Sequence, residues 1–331
     1  MMRLSTMWKV DSTVDSAGCS PVAERILERW PHDAGAARFF RSSANFLYTF
    51  QNGDRRHFLR FAASSERRRG AIEAEVDLVN WLGTAGIAAT PAIPSRNGEF
   101  VTTTETALGS FHAVVFAELQ GSQFELDELD DRGFREWGAA LGSLPAALKD
   151  YPGQSNLNRR SWKEDLELAR SFMPPDEPAI LNEWEQLSHA LNALPVNRER
   201  YGLIHFDFEL DNLVWREGGI GILDFDDTAR YWYVADIAFA LRDLFSDGAN
   251  LNDPSFRGFI DGYASQCALD EAAMEQVPLF LRLSRLIQYA RMARSLDLAA
   301  GGNYPDWLVG LQAKLRGRTN AYRRSLGEKL L

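Results

Sequence analysis

After residue 121 the chain reads as one helix after another, except for a β-like island from Gly202 to Phe225, and that island constrains the fold more than any other stretch. With its flanks it runs Tyr201-Gly-Leu-Ile-His205-Phe-Asp207-Phe-Glu-Leu-Asp-Asn212-Leu-Val-Trp215, then Arg216-Glu-Gly-Gly-Ile, then Gly221-Ile-Leu-Asp224-Phe-Asp226-Asp227. Leu213–Trp215 and Gly221–Leu223 are short apolar runs on either side of Glu217-Gly218-Gly219, a strong turn signal. A hairpin centred on Gly218 places Asn212 and Asp224 six residues from the turn on each side, facing each other at the open end. An amide oxygen and a carboxylate converging there suit a hard, oxygen-preferring cation such as Mg2+. Asp207, on the loop entering the hairpin, is placed to meet a substrate hydroxyl beside that cation.

Upstream, the pattern is mixed. Residues 1–20 read as a poorly patterned arm, and Val22–Trp30 has helical apolar spacing that stops before Pro31. Asn45–Phe50 and His57–Ala62 flank Gln51-Asn52-Gly53-Asp54, which predicts a hairpin, and Gly70–Gly83 reads as an amphipathic helix. Glu99–Thr103 and His112–Glu118 are further strand candidates. Beyond Gly121 helices are expected over 130–148, 162–172, 180–194, 236–245, 254–266, 271–298 and 304–330. The fold class is therefore α+β, with a small β-rich N-terminal lobe over 1–118 and a larger, mostly helical lobe over 119–331.

Composition narrows the function. The formal net charge is −10, which disfavours a general attraction to nucleic acid or anionic membrane. No apolar run approaches bilayer length, and the first twenty residues lack the apolar segment of a signal peptide. Two cysteines, Cys19 and Cys267, form no metal-spaced cluster and point to a reducing cytoplasm.

His205-x-Asp207-x4-Asn212 followed by Ile222-Leu223-Asp224-Phe225 resembles the catalytic loop and metal-binding aspartate of the aminoglycoside phosphotransferase and choline kinase superfamily, related in fold to protein kinases. The resemblance spans roughly residues 35–300 and implies a two-lobed, protein-kinase-like fold. It implies Asp207 as catalytic base, His205 as a brace of the catalytic loop, and Asn212 and Asp224 as Mg2+ ligands. Asp236, in Val234-Ala-Asp-Ile-Ala, is similar to the buried aspartate that anchors that loop, and a simple helix cap is the other reading. Ser42-Ser43-Ala44-Asn45 sits where such proteins place a phosphate-covering turn. Glu75 matches the helix glutamate that pairs with a phosphate-binding cation, with Glu73 as a rival. Phe116-Ala-Glu118-Leu119-Gln-Gly121 resembles the hinge whose backbone binds adenine. One departure stands out: the strand that should carry a lysine reads His57-Phe-Leu-Arg60-Phe, and arginine's planar fork is not equivalent to an ammonium.

The implied activity is transfer of the γ-phosphate of ATP, with GTP as the other candidate, to a hydroxyl of a small molecule. Further similarities to the bacterial stress-response kinase branch, in Gly121-Ser-Gln-Phe, Leu281-Arg282-Leu-Ser-Arg285 and Asn303-Tyr-Pro-Asp-Trp, make Ser/Thr protein phosphorylation the alternative. From another class, a non-catalytic nucleotide-binding protein has the Arg60 substitution as its support. Acceptor-site candidates are Asp226, Trp232, Arg282 and Arg285. The arginines suit an anionic acceptor, whereas Asp243, Asp247, Asp253 and Asp261 suit a cationic one.

Overall fold

The computed structural model describes residues 1–35, 37–154, 159–245, 250–269 and 271–326. The elements of the first part are α1 (Leu4–Asp11), α2 (Pro21–Leu27), β1 (Arg38–Ser42), β2 (Phe46–Asn52), β3 (Arg55–Ala63), α3 (Arg69–Thr84), β4 (Ala92–Ile93), β5 (Thr102–Thr106) and β6 (Gly109–Ala117). There follow α4 (Asp131–Leu148), α5 (Trp162–Ser171), α6 (Pro178–Ala193), β7 (Tyr201–Ile204), β8 (Leu213–Arg216), β9 (Gly219–Ile222), β10 (Ala229–Trp232) and α7 (Tyr233–Ala240). The chain ends through α8 (Pro254–Ala264), α9 (Glu271–Met274), α10 (Val277–Ser295) and α11 (Asp306–Ser325). Among the described residues, no helix is long and apolar enough to cross a membrane.

Two compact units account for the chain. One comprises Met1–Asn80, Thr90–Glu118 and Arg291–Ala321; the other comprises Trp81–Ala89, Leu119–Ala290 and the chain from Tyr322. The segments 81–89 and 291–321 belong with units other than those of their chain neighbours, so the division is not a single cut along the sequence.

The first unit is built on an antiparallel sheet in the order β1-β2-β3-β6-β4, with β5 also paired to β6. Alternation explains its inner face: Phe46 and Tyr48 on β2 stack on Phe61 of β3, and Phe111 of β6 meets Phe61 edge-on. Ile72 and Val76 of α3 close a second apolar cluster with Ala92, Val101, Val114 and Phe116. Gly53, at φ +62°, makes the turn that joins β2 to β3. The expected strand over 99–103 lies three residues further on, as β5, and β1 and β4 were not visible as strands.

The N-terminal residues correct the sequence expectation: they form helix α1, with Leu4, Met7 and Val10 buried, rather than an unpatterned arm. The i, i+3, i+6 spacing of those three residues was the available signal.

In the second unit α4 and α8 lie so close that a Cβ on Gly138 would meet the Phe259 carbonyl oxygen at 1.9 Å. On the other helix, a Cβ on Gly262 would meet that of Arg135 at 2.0 Å. The helix expected over 271–298 is broken into α9 and α10, because Pro278 fits only the first turn of a helix. β7 pairs with β10, and β8 pairs with β9.

Candidate active site

The loop after β7 is held by its main chain. Asp236, on α7 and 3% exposed, accepts from the backbone N–H of His205 at 2.8 Å and of Phe206 at 2.7 Å. Its carboxylate therefore binds the loop directly. Burial lifts its pKa to about 7, with the two N–H bonds pulling it back and Asp207 adding to the rise. Phe206 adopts φ +77°, a left-handed conformation unfavourable for a bulky side chain. Its ring is fixed against Phe239 (4.9 Å) and beneath the Arg160 guanidinium (4.3 Å), so the surroundings enforce the bend.

His205 fastens the loop to the strand that precedes Asp224. Its Nε2–H donates to the carbonyl oxygen of Leu223 at 2.9 Å. Complete burial lowers its pKa, more than the nearby carboxylates and that hydrogen bond raise it, so the ring is neutral. The ring's hydrogen bond ties the loop to that strand.

Asn212 donates from Nδ2 to the Asp207 carbonyl at 2.9 Å and to Asp207 Oδ2 at 3.3 Å. That leaves its amide Oδ1 as an oxygen donor for another group. The β8–β9 register pairs Leu213 with Ile222 and Arg216 with Gly219, so the turn is centred between Glu217 and Gly218. This corrects the expected centre on Gly218: Asn212 stands opposite Leu223, whose N–H donates to the Asn212 carbonyl at 2.9 Å, and Asp224 follows one residue later. Asp224 then takes a left-handed conformation, φ +56°, one that Asp tolerates better than most residues. Its side chain is half-buried.

Two arginines that sequence reading missed surround this loop. Arg242 forms an ion pair with Glu209 and stands 3.6 Å from Asp207 Oδ1. Arg160 binds both oxygens of Asp165 at 2.9 and 3.0 Å and Asp227 at 3.1 Å. Burial opposes its charge, but Asp165 and Asp227 outweigh that and hold its pKa above the ordinary arginine value. No local pattern marks either residue, because Arg160 and Asp227 lie 67 positions apart. Asp226, adjacent, is half-buried.

In the first unit, Arg60 and Glu75 form a buried ion pair, with side-chain exposures of 8% and 2%. The rival Glu73 is on the surface and binds Arg69 at 2.7 Å. The Arg60 guanidinium also lies over the Phe116 ring, 5.0 Å from its centroid. Ser43 is exposed and Asn45 buried, and the Ser43 N–H donates to the Asn45 carbonyl at 3.1 Å. Glu118 pairs with Arg56 at 3.2 Å, and its N–H donates to the Arg56 carbonyl at 3.3 Å. Leu119, half-buried in the second unit, stands beside Gly221, where an added Cβ would lie 3.0 Å from its Cδ1.

The acceptor candidates are not brought together. Trp232 is 2% exposed, with its Nε1–H on the Pro195 carbonyl at 2.8 Å, so it packs in the core. Arg282 binds both Glu183 oxygens at 2.8 and 2.7 Å and bridges α10 to α6. Arg285 is half-buried on the same helix. Among the acids, Asp253 caps α8, Asp261 stands 3.6 Å from Arg135, Asp243 is exposed, and Asp247 lies outside the described residues.

The model of the phosphotransferase enzyme family, APH, matches residues 36–269. Amicoumacin kinase of Bacillus subtilis (strain 168) is 26% identical over 309 residues, covering 90% of this chain and 92% of that protein. Among solved structures, amicoumacin kinase hAmiN in complex with AMP-PNP, Ca2+ and Ami superposes with a TM-score of 0.80 at 21% identity, covering 93% of this chain and 92% of that one. A microcompartment-associated aminopropanol kinase gives 0.71 at 23% identity, with 94% and 99% coverage. Spectinomycin phosphotransferase APH(9)-Ia, in complex with ADP and spectinomycin, gives 0.61 at 13% identity, with 91% and 93% coverage. The chain has the protein-kinase-like α+β fold and belongs to the phosphotransferase enzyme family.

Proposed function

We propose that the protein transfers the γ-phosphoryl group of ATP to a hydroxyl of a small molecule, with Asp207 as the base. The observation that carries this reading is the fixed placement of Asp207. Asp236 holds the two residues before it by their N–H groups, and Asn212 directs its amide onto it from the other side. Positioning and charge neutralisation are what phosphoryl transfer requires of a protein. Asp207 accepts the proton of the acceptor hydroxyl as that oxygen bonds to the γ-phosphorus and the β–γ bridging oxygen departs with ADP.

Asn212 and Asp224 would hold Mg2+. The free amide oxygen of Asn212 and the Asp224 carboxylate are hard oxygen donors, which fit that ion. Among the described residues no group of three or more His, Cys, Asp or Glu side chains could hold a metal. Two protein oxygens, with phosphate and water completing the shell, suit Mg2+ at a nucleotide. When bound, the ion supplies neutralisation of phosphate charge. Arg60, steadied by Glu75, would meet the phosphates, Ser43 and Asn45 would cover them, and the 116–119 backbone would take the adenine. A small-molecule acceptor is supported by the named relatives, whose substrates are small molecules.

Thermal-shift titration with ATP and with GTP, each with and without Mg2+, tests the nucleotide site. A bound nucleotide adds stability as RT ln(1 + [L]/Kd). A Mg2+-dependent rise that Asp224→Ala removes is expected, followed by ATP consumption with small amino alcohols and aminoglycosides as acceptors. No rise with either nucleotide would sink the reading.

A further inference from the structure

Helix α1 has no part in the reaction as described, yet it ends on the turn proposed to cover the phosphates. The Met2 N–H donates to the Ser43 carbonyl at 2.9 Å, and the Ser42 hydroxyl donates to Asp11 Oδ2 at 2.5 Å. Just after the helix, the Gly18 carbonyl accepts from the Phe39 N–H at 2.7 Å, fixing the strand that leads into the turn. Contacts from both ends of α1 therefore converge on two adjacent residues.

The helix is itself anchored on its other sides. Thr6 donates to Glu66 at 3.0 Å, Arg294 binds the same carboxylate, and Ser5 donates to Asp297 through both its N–H, at 2.9 Å, and its hydroxyl. Trp8 packs on Trp307 with centroids 6.2 Å apart. Buried Leu4, Met7 and Val10 complete the seat. The turn joins β1 to β2, which pair through Ser42 and Phe46, and within it the Ser43 N–H donates to the Asn45 carbonyl at 3.1 Å.

We propose that α1 is a clamp that presets the Ser42–Asn45 turn for nucleotide phosphate, with Asp11 and Ser42 as positioning residues. This rests on the reading of that turn as the phosphate cover. A preset turn orders nothing further on binding, so the clamp acts on nucleotide affinity rather than on the chemical step. An open pocket of about 470 Å3, lined in part by Asp11, Ser42 and Phe40, borders the contact, so it can be cut without opening the core.

The experiment uses the full-length protein and three variants: Asp11→Ala, Ser42→Ala and their double. Nucleotide Kd is measured by calorimetry with ATP and Mg2+, and kcat and both KM values by ATP consumption. Each single variant should raise the ATP Kd and KM about five- to tenfold, as one positioning hydrogen bond would. The acceptor KM and kcat should stay within about twofold. The double should be no weaker than either single, since both cut one interaction. Ser5→Ala, at the far side of the helix, should lower the melting temperature alone. Ser42→Ala removes a single hydroxyl and keeps the test open if Asp11→Ala folds poorly. Wild-type ATP affinity in Ser42→Ala, or additive losses in the double, overturns the clamp. Failure of the wild-type protein to bind any nucleotide overturns the phosphate-cover reading first, and the clamp with it.

Discussion

Each unit buries more than one carboxylate, and two of them, Glu75 in the first and Asp236 in the second, are used in opposite ways. Glu75 of the first unit faces another side chain, the Arg60 guanidinium. Asp236 of the second faces main chain, the N–H groups of His205 and Phe206. A side-chain pair can be exchanged for another pair of similar volume, and buried ion pairs replaced by apolar residues often cost nothing. A main-chain donor cannot be mutated away. For stability alone the Arg60–Glu75 pair is therefore replaceable, whereas Asp236 sets the path of the backbone on which Asp207 sits.

The largest effect should come from Asp207→Asn. On the proposed role of Asp207 as base, removing its charge while keeping its shape should lower kcat about 10²–10⁴-fold, as loss of general-base catalysis does, with nucleotide Kd nearly unchanged. Equal losses in Kd and kcat would show that Asp207 serves binding instead.

The comparison is broken most directly by paired truncations. Asp236→Ala strands two buried N–H donors and should cost ~2–6 kcal/mol with loss of turnover. Glu75→Ala strands the buried Arg60 charge and should cost ~3–5 kcal/mol. The second loss should be largely recovered by Arg60→Met with Glu75→Leu, judged by denaturant melts. No companion substitution should recover Asp236→Ala. Recovery of both, or of neither, would remove the distinction drawn above.

The same contrast explains what could be read in advance. His205, Asp207, Asn212, Asp224 and Asp236 stand out in the sequence because polar chemistry at a fixed spacing is a local pattern, and the structure ties Asp236 to the His205 and Phe206 N–H groups and Asn212 to Asp207. Glu75 was preferred to Glu73, and the structure buries the first and exposes the second. The hairpin register was misplaced by one residue, since a glycine pair allows the turn to be centred on either side of Gly218. Helix α1 carries a local signal in Leu4, Met7 and Val10, but its partners Glu66 and Asp297 lie far along the chain, beyond the reach of local pattern. Arg160 and Arg242 were missed for the same reason. The acceptor candidates failed differently: Trp232 and Arg282 have chemistry suited to a ligand, but the fold had already spent them on Pro195 and Glu183.

A smaller effect is expected where arginine stands for lysine. Arg60→Lys keeps the charge and a contact to Glu75 but loses the fork and the stacking over Phe116. Stability should fall by about 1 kcal/mol and nucleotide Kd change less than about tenfold. Abolished binding would mean that the fork itself grips phosphate.

The smallest effect separates the units by pH. In the second unit the shifts oppose each other: Asp236 is raised to about 7, while His205 is lowered from 6.5, both chiefly by burial. A raised carboxyl gives stability that is complete below its unfolded value of 3.8 and is lost as pH climbs to its folded value. A lowered histidine does the reverse, gaining stability as pH rises through its folded value to 6.5. In the first unit Asp11 is raised from 3.8 to about 6, mainly by burial and against its bond to Ser42. His112 there is lowered, and since Asp11→Asn leaves it in place, the difference between wild type and that variant isolates Asp11. The wild type should lose melting temperature relative to Asp11→Asn as pH rises from about 4 to about 6, and the difference should be flat above that. The corresponding curve for Asp236→Asn should keep falling to about 7. Parallel curves for the two variants would mean that the two carboxyls are buried alike, and the contrast between a main-chain anchor and a side-chain contact would lose its electrostatic support.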